Sequence, residues 1–266
     1  MTALEIGLIA GSGQYPVHLA KRLLGDNYNV TVAGIFGLTT AADYRNCRFK
    51  NFYIGQIKAA CDWFRSWDVN AAVMAGGIRL KWGTVIKPDI ALLPAMPALL
   101  LRGDDWRLRY LALLFEKRGI AVRDPRQWIT DWFAPKGHLA GPSLDAASER
   151  LLARGISVCA KFVEGDAGQA VLVHGKDWVA TEDGWGTDAL LKKAPGKGAI
   201  LIKMKKRKQD MRFDIPSVGP ETIRHAKKAG VAAIAIQANA VILIERHELM
   251  HLCRVLNVSL VAFECD

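Results

Sequence analysis

A run of mostly aliphatic residues, Leu4 to Ala10, stops at Gly11-Ser12-Gly13, and Pro16 then opens a helical stretch reaching to about Leu24. No other feature restricts the fold as tightly. A strand, a glycine turn and a helix form the opening of a parallel α/β unit, because parallel neighbours need a crossover to join them. NVTVAGIF (29–36) reads as a second strand, a helix is expected over Gln56–Ser66, and NAAVMAGG (70–77) reads as another buried strand. These runs are apolar almost throughout, as strands covered on both faces are. Two of them end in glycine loops, Gly11–Gly13 and Gly76-Gly77. Ligands of open α/β sheets bind outside the carboxyl ends of the strands, so both loops are expected to line one cleft.

Further along, DDWRLRYLALLFEKR (104–118) is expected to be a helix, with Asp104 at its start, Lys117 and Arg118 near its negative end and Gly119 as its stop. The stretch TDWFAPKGHLAGPS (130–143) is rich in Pro and Gly and has no periodicity, which marks a linker. A helix over about 144–163 follows, then a hairpin from QAVLVH through Gly175-Lys176 to WVATE. AILIKM (199–204), VAAIAI (231–236), AVILIE (240–245) and VSLVAF (258–263) are four further strand candidates. The expected architecture is α/β, with an amino-terminal Rossmann-like parallel-sheet domain (1–133), a linker (134–143) and a catalytic carboxyl-terminal mixed α/β domain (144–266).

Composition narrows the function. With 266 residues, 51% apolar and 23% charged, the chain can bury a real core and is not disordered. Five widely spaced cysteines without a CxxC fit reduced thiols in a cytosolic setting. The amino terminus has no cation before its apolar run and carries Glu5, unlike a signal peptide. The longest charge-free apolar stretch, 90–101, is too short to span a bilayer and holds Pro94 and Pro97. A soluble, cytoplasmic protein is expected. The net charge of +10 suits an anionic partner: nucleic acid, a phosphorylated metabolite or an acidic membrane surface.

GSGQYP resembles half of a dinucleotide fingerprint, with backbone N–H groups and a helix dipole aimed at a phosphate. Pro16 replaces the third glycine, and no acid ends the second strand to hold a ribose hydroxyl, which argues against NAD. Phosphate or sugar recognition stands beside the plainer reading of a tight turn. His247-Glu248-Leu249-Met250-His251 spells HExxH, the zinc-protease pattern. It lacks the extended third-histidine pattern, and Leu249, Leu252 and Leu256 are expected to pack on a sheet, so it reads as a chance match.

KMKKRKQD (203–210) places five cations in six residues. A nucleic-acid patch would be expected to interleave aromatics, and only Phe213 is close, so a solvated loop competes with it. Gln209, Asp210, Arg212 and Asp214 follow, and in an extended segment Asp210, Arg212 and Asp214 would share one face. A carboxylate among cations suits a metal-assisted phosphoryl site; an ion-paired turn explains it equally well. In GWGTDALLKK (184–193), Thr187 is placed to cap a helix with Asp188 in its first turn, and Gly103-Asp104-Asp105 has the same character.

Together these stretches resemble the UDP-2,3-diacylglucosamine pyrophosphatase family of lipid A biosynthesis, in the two-domain form unrelated to calcineurin-like phosphoesterases. The resemblance is carried by GLIAGSGQYP (7–16), MAGGI (74–78), RGDDWRLR (102–109), GTDALLKK (186–193), KQDMRFDIPSVGPETI (208–223) and the AGVAAIAIQANAVILIERHEL region. It implies Mg²⁺-dependent hydrolysis of UDP-2,3-diacylglucosamine to UMP and 2,3-diacylglucosamine 1-phosphate (lipid X), by a homodimer. It also implies no nucleic-acid partner, and leaves open contact with the inner leaflet of the membrane. The catalytic aspartate of RFDxP maps onto Asp214, with Asp188 as a second metal candidate. Gly11, Ser12, Gly13, Gly103, Asp104, Asp105, Thr187, Asp188, Lys203, Gln209, Asp210 and Arg212 are the expected substrate or phosphate contacts. The family's glutamate before its GTD is Trp185 here, with Glu182 the nearest acid. IALLPAMPALLL (90–101), with Trp82 and Trp106, lines either an acyl path or the core. The alternatives from other classes are a basic nucleic-acid-binding module and an HExxH zinc protease.

Overall fold

The computed structural model describes residues 4–78, 85–89, 92, 104–165 and 167–265, with the backbone alone at 104 and 105. The expected 90–101 stretch other than Leu92, together with Trp82 and Gly103, lies outside the described residues, as do the side chains of Asp104 and Asp105. The chain divides into two units: Met1–Thr130 with Asp210–Asp214, and Asp131–Gln209 with Ile215–Asp266.

In the first unit, strands β1 (Leu4–Ala10), β2 (Tyr28–Ile35), β3 (Arg48–Phe52), β4 (Ala71–Ala75) and β5 (Ala121–Arg123) form one parallel sheet in the order β3-β2-β1-β4-β5. Helices α1 (Gln14–Gly25), α2 (Ile57–Arg65) and α3 (Asp104–Glu116) lie along its connections. Ile9, Ala33, Ala72 and Met74 share a core with Phe64 of α2 and Phe115 of α3. Their neighbours Leu8, Val32 and Val73 alternate to the other face and are buried too, which is why these strands read as unbroken apolar runs. The chain builds outward from β1 in one direction through β2 and β3, then returns to place β4 on β1's other side. The order therefore reverses between β1 and β4, the position at which such sheets open a crevice.

The second unit holds a six-stranded mixed sheet ordered β6-β13-β11-β9-β7-β8. Its strands are β6 (Gly137–Ala140), β7 (Ala170–His174), β8 (Trp178–Thr181), β9 (Ala199–Lys203), β11 (Val231–Gln237) and β13 (Ser259–Phe263). Helix α4 (Ala146–Phe162) covers the face carrying Val171, Ile200 and Ile202. The short α5 (Thr187–Leu191), α6 (Pro220–Lys228) and α7 (Arg246–Val255) contribute Leu190, Ile223 and Leu249 to a core with Leu172, Leu201 and Ile234 on the opposite face. Helix α4 presses so closely that a Cβ at Gly155 would lie 2.4 Å from Ile202 Cδ1. All five cysteines are free, and burial pushes the Cys159 thiol up to about 12.

Two local expectations change. The apolar run 240–245 is not a strand of the main sheet: only Ile242–Leu243 (β12) is extended, paired with β10 (Ser217–Val218) in a separate two-stranded ribbon. The run is apolar because it is buried, a condition that does not itself require a strand. Residues 137–140, within the stretch expected to be a linker, form β6 along the edge of β13.

Candidate active site

At the carboxyl end of β1 the two glycine loops are tied to each other. Gly11 N–H donates to Ala75 O at 2.8 Å, and Ser12 N–H and Oγ both donate to Gly77 O, at 2.8 and 2.9 Å. Gly77 N–H returns a bond to Ser12 O at 3.2 Å. Approach is so close that a Cβ on Gly11 would sit 2.6 Å from Gly77 O. Gly13 then begins α1 with φ 96°, no side chain caps the helix, and its first turn holds no acid. That leaves the positive end of a twelve-residue helix for an anion.

Residues 211–213 form a turn, so of the two readings the sequence allowed the structure shows the ion-paired turn and not an extended segment with one charged face. Asp210 O accepts from the N–H groups of Phe213 and Asp214, at 3.0 and 3.3 Å, and Asp210 Oδ1 accepts from Arg212 N–H at 3.1 Å. The carboxylate bends its own backbone, as aspartates starting turns do. It also grips the Arg212 guanidinium at two points, Nε to Oδ1 at 3.1 Å and Nη2 to Oδ2 at 2.9 Å, while Arg109 Nη1 stands 3.5 Å from Oδ2. Burial opposes ionisation of Asp210, but its bonds to Arg212 and the charges of both arginines outweigh it, and its carboxyl titrates below the usual range. Phe213 anchors the turn in the core of the first unit, and Arg212 lies 4.7 Å over its ring.

Asp214 follows this anchor. It and Asp124, which caps the turn after β5, act on the buried Tyr15 in the first turn of α1: burial first, then these two negative charges, drives that phenol well above its ordinary range. Asp124 in turn holds Arg126, Nε to Oδ2 at 2.9 Å. The first unit thus gathers Gly11, Ser12, Gly13, Asp210, Arg212 and Asp214 from the expected set. It adds Tyr15 and Asp124, which the sequence reading missed; an aspartate directly after the β5 run was their one available signal.

The second unit gathers Lys203 and Gln209 around Thr187. The helix cap is Gly186, φ 81°, and not Thr187, which is the first helical residue. Its hydroxyl is thereby free to turn inward: Thr187 Oγ1 donates to Glu182 Oε1 at 2.7 Å and accepts from Lys203 Nζ at 3.4 Å. Lys203 is 7% exposed and also donates to Ser217 O at 2.9 Å. The other oxygen of Glu182 accepts from Gln169 N–H at 2.8 Å. Gln209 is buried, taking a bond from Lys206 N–H at 2.9 Å and reaching Gln169 Oε1 at 3.4 Å. Trp185, in the place of the family's acid, is 72% exposed; Glu182 is the carboxylate that meets the threonine. Asp188 lies apart from this cluster on the surface, 3.0 Å from His225 Nδ1.

Among the described residues no three His, Cys, Asp or Glu side chains cluster as a ready metal cage. Mg²⁺ is commonly held by one or two carboxylates together with substrate phosphate oxygens, and a site containing Asp214 fits that donor chemistry. The HExxH residues do not fit a zinc site: His247 and His251 are exposed on α7, Glu248 is bonded to Arg224 at 2.5 Å, and Leu249 is buried in the core.

Residues 5–132 match the family model described as the LpxI N-terminal domain, and residues 135–261 match the LpxI C-terminal domain. A relative named UDP-2,3-diacylglucosamine pyrophosphatase LpxI, from Caulobacter vibrioides, is 26% identical over 258 residues, covering 91% of either chain.

Proposed function

The chain belongs to the LpxI family, and from that premise we propose that it hydrolyses the pyrophosphate of UDP-2,3-diacylglucosamine to UMP and 2,3-diacylglucosamine 1-phosphate. The match of both LpxI domains, in order and over nearly the whole chain, carries the reading. Water attacks the phosphorus of the UMP half, the bond from that phosphorus to the bridging oxygen breaks, and the bridging oxygen leaves on the sugar phosphate.

Asp214 is the carboxylate assigned to the attacking water or to Mg²⁺. It ends the turn in which Asp210 grips Arg212, so a carboxylate and a fixed cation lie four residues apart at most. Arg212, held flat by Asp210, neutralises charge that grows on the phosphoryl oxygens. The N–H groups that open α1 hold a phosphate at the switch point of the sheet. In the second unit, Lys203 and Thr187 supply a cation and a hydroxyl whose directions are set by Ser217 and Glu182. When bound, Mg²⁺ would be held by Asp214 together with substrate phosphate oxygens and would supply Lewis-acid neutralisation of the pyrophosphate.

The same reading makes the enzyme a cytoplasmic homodimer working at the inner leaflet. Its +10 charge supports that surface contact, and no described helix is long and apolar enough to cross a membrane. Incubation of the pure protein with UDP-2,3-diacylglucosamine and Mg²⁺ is the test: stoichiometric UMP and lipid X are expected, and no UMP release overturns the assignment.

A further inference from the structure

The carboxyl edge of the first sheet carries a second feature beside the glycine loops. Ala10 of β1 lies level with Gly34 of β2, and Ile35 of β2 lies level with Phe52 of β3. Gly11–Gly13, Phe36 and Tyr53 therefore leave the sheet side by side, on strands spaced about 4.8 Å apart. Phe36 N–H still bonds Phe52 O at 2.9 Å, which holds the first ring at that edge. The rings of Phe36 and Tyr53 are stacked, centroids 4.8 Å apart and planes 14° from parallel. Lys87 places its ammonium 3.9 Å from the Tyr53 centroid, on a loop strapped to the end of β3 by Lys87 N–H to Ile54 O at 2.9 Å. Phe36 remains 56% exposed although one of its faces covers Tyr53.

In a dinucleotide-binding sheet the end of the second strand holds an acid for the ribose hydroxyl. This chain has an aromatic ring there instead. A ring in a rigid stack, open on its remaining face and next to a phosphate-binding helix start, presents a π-surface to a planar ligand. The other side of β1, toward β4 and β5, carries the charged Asp124.

We propose that the Phe36–Tyr53 stack is the platform for the pyrimidine base of the nucleotide, with Lys87 holding Tyr53 in place. This rests on the reading of the substrate as a UDP conjugate and adds where its uracil lies. The H5 and H6 proton resonances of UMP are then expected to move upfield on titration with the protein. Calorimetry should show Phe36→Ala weakening UMP about tenfold, a typical effect of losing one base–aromatic stack. Ribose 5-phosphate, which lacks the base, should bind wild type and variant alike, and Phe36→Trp should restore UMP binding. Unchanged melting of Phe36→Ala separates loss of the ring from loss of the fold. The platform is overturned if Phe36→Ala binds UMP as wild type does, or if wild type binds UMP no tighter than ribose 5-phosphate. A wild type that hydrolyses UDP-2,3-diacylglucosamine under either result keeps its activity assignment and places the base elsewhere. A wild type that neither hydrolyses it nor binds UMP loses both.

Discussion

Thr187 donates its hydroxyl proton to Glu182, Oγ1 to Oε1 at 2.7 Å, so a carboxylate five residues earlier directs the threonine's remaining lone pairs toward Lys203. Glu182 is 5% exposed, with its second oxygen occupied by Gln169 N–H. A buried acid so placed fixes a proton direction as well as a position.

Glu182→Gln presents an amide NH₂ to one of those two donors. Urea unfolding should show a loss of about 1–3 kcal/mol, the usual consequence of one unsatisfied buried group. UMP release should fall at least about tenfold in kcat/KM, in line with a misaligned polar contact. Trp185→Ala, on the exposed neighbour, should stay within about 0.5 kcal/mol and keep wild-type kinetics.

Asp214→Asn should lower kcat by about 10²–10⁴, the span of general acid–base contributions, without moving the melting temperature. Arg212→Lys should cost less, because a point charge remains while the flat two-point grip on Asp210 is lost. A variant Asp214→Asn with full activity would remove this residue from the chemistry.

The depressed titration of Asp210 has a defined sign. Its ionised form is favoured in the folded chain, so its stabilisation is complete above the unfolded value near 4 and is lost as pH falls through the lower folded value. Stability curves between about pH 2 and 6 should therefore be steeper for wild type than for Asp210→Asn. Parallel curves would contradict this.

Gly11→Ala drives a methyl group to 2.6 Å from a backbone carbonyl that cannot swing away, whereas a Cβ at Gly13 meets nothing within 4 Å. Gly13→Ala should cost only the backbone strain of a positive φ with ψ 176°, about 1–3 kcal/mol. Gly11→Ala should cost more and separate the paired loops, measured as weaker binding of UMP alongside the loss in melting temperature.

His247→Ala and His251→Ala should leave UMP release and metal content unchanged, since both imidazoles point from the exposed face of α7 and Glu248 is engaged with Arg224. Metal analysis by mass spectrometry checks the content directly.

The sheets were legible because their inner strands are apolar on both faces. That gave β1, β2 and β4 in the first unit and β9, β11 and β13 in the second. The same rule misread 240–245, where burial comes without a long strand. The glycine loops were readable as a pair, since two strands of one parallel sheet ended in them, and the tie between Ser12 and Gly77 bears this out. The bend at 210–214 was readable only as one of two equal alternatives, because a side chain there competes with the backbone for hydrogen bonds in a way that spacing alone does not decide. Tyr15 and Asp124 stayed hidden for another reason: what brings their charges within range is tertiary packing, which no local spacing encodes.

Phe213 completes a hydrophobic interior whose other members all precede residue 130. A polypeptide ended at residue 130 would lack that ring and expose the cavity it fills, and one begun at 131 would carry an orphaned aromatic in its place. The first unit cannot be cut out as residues 1–130 without losing an aromatic that its interior uses. A fusion or truncation strategy has to carry the 210–214 segment with residues 1–130.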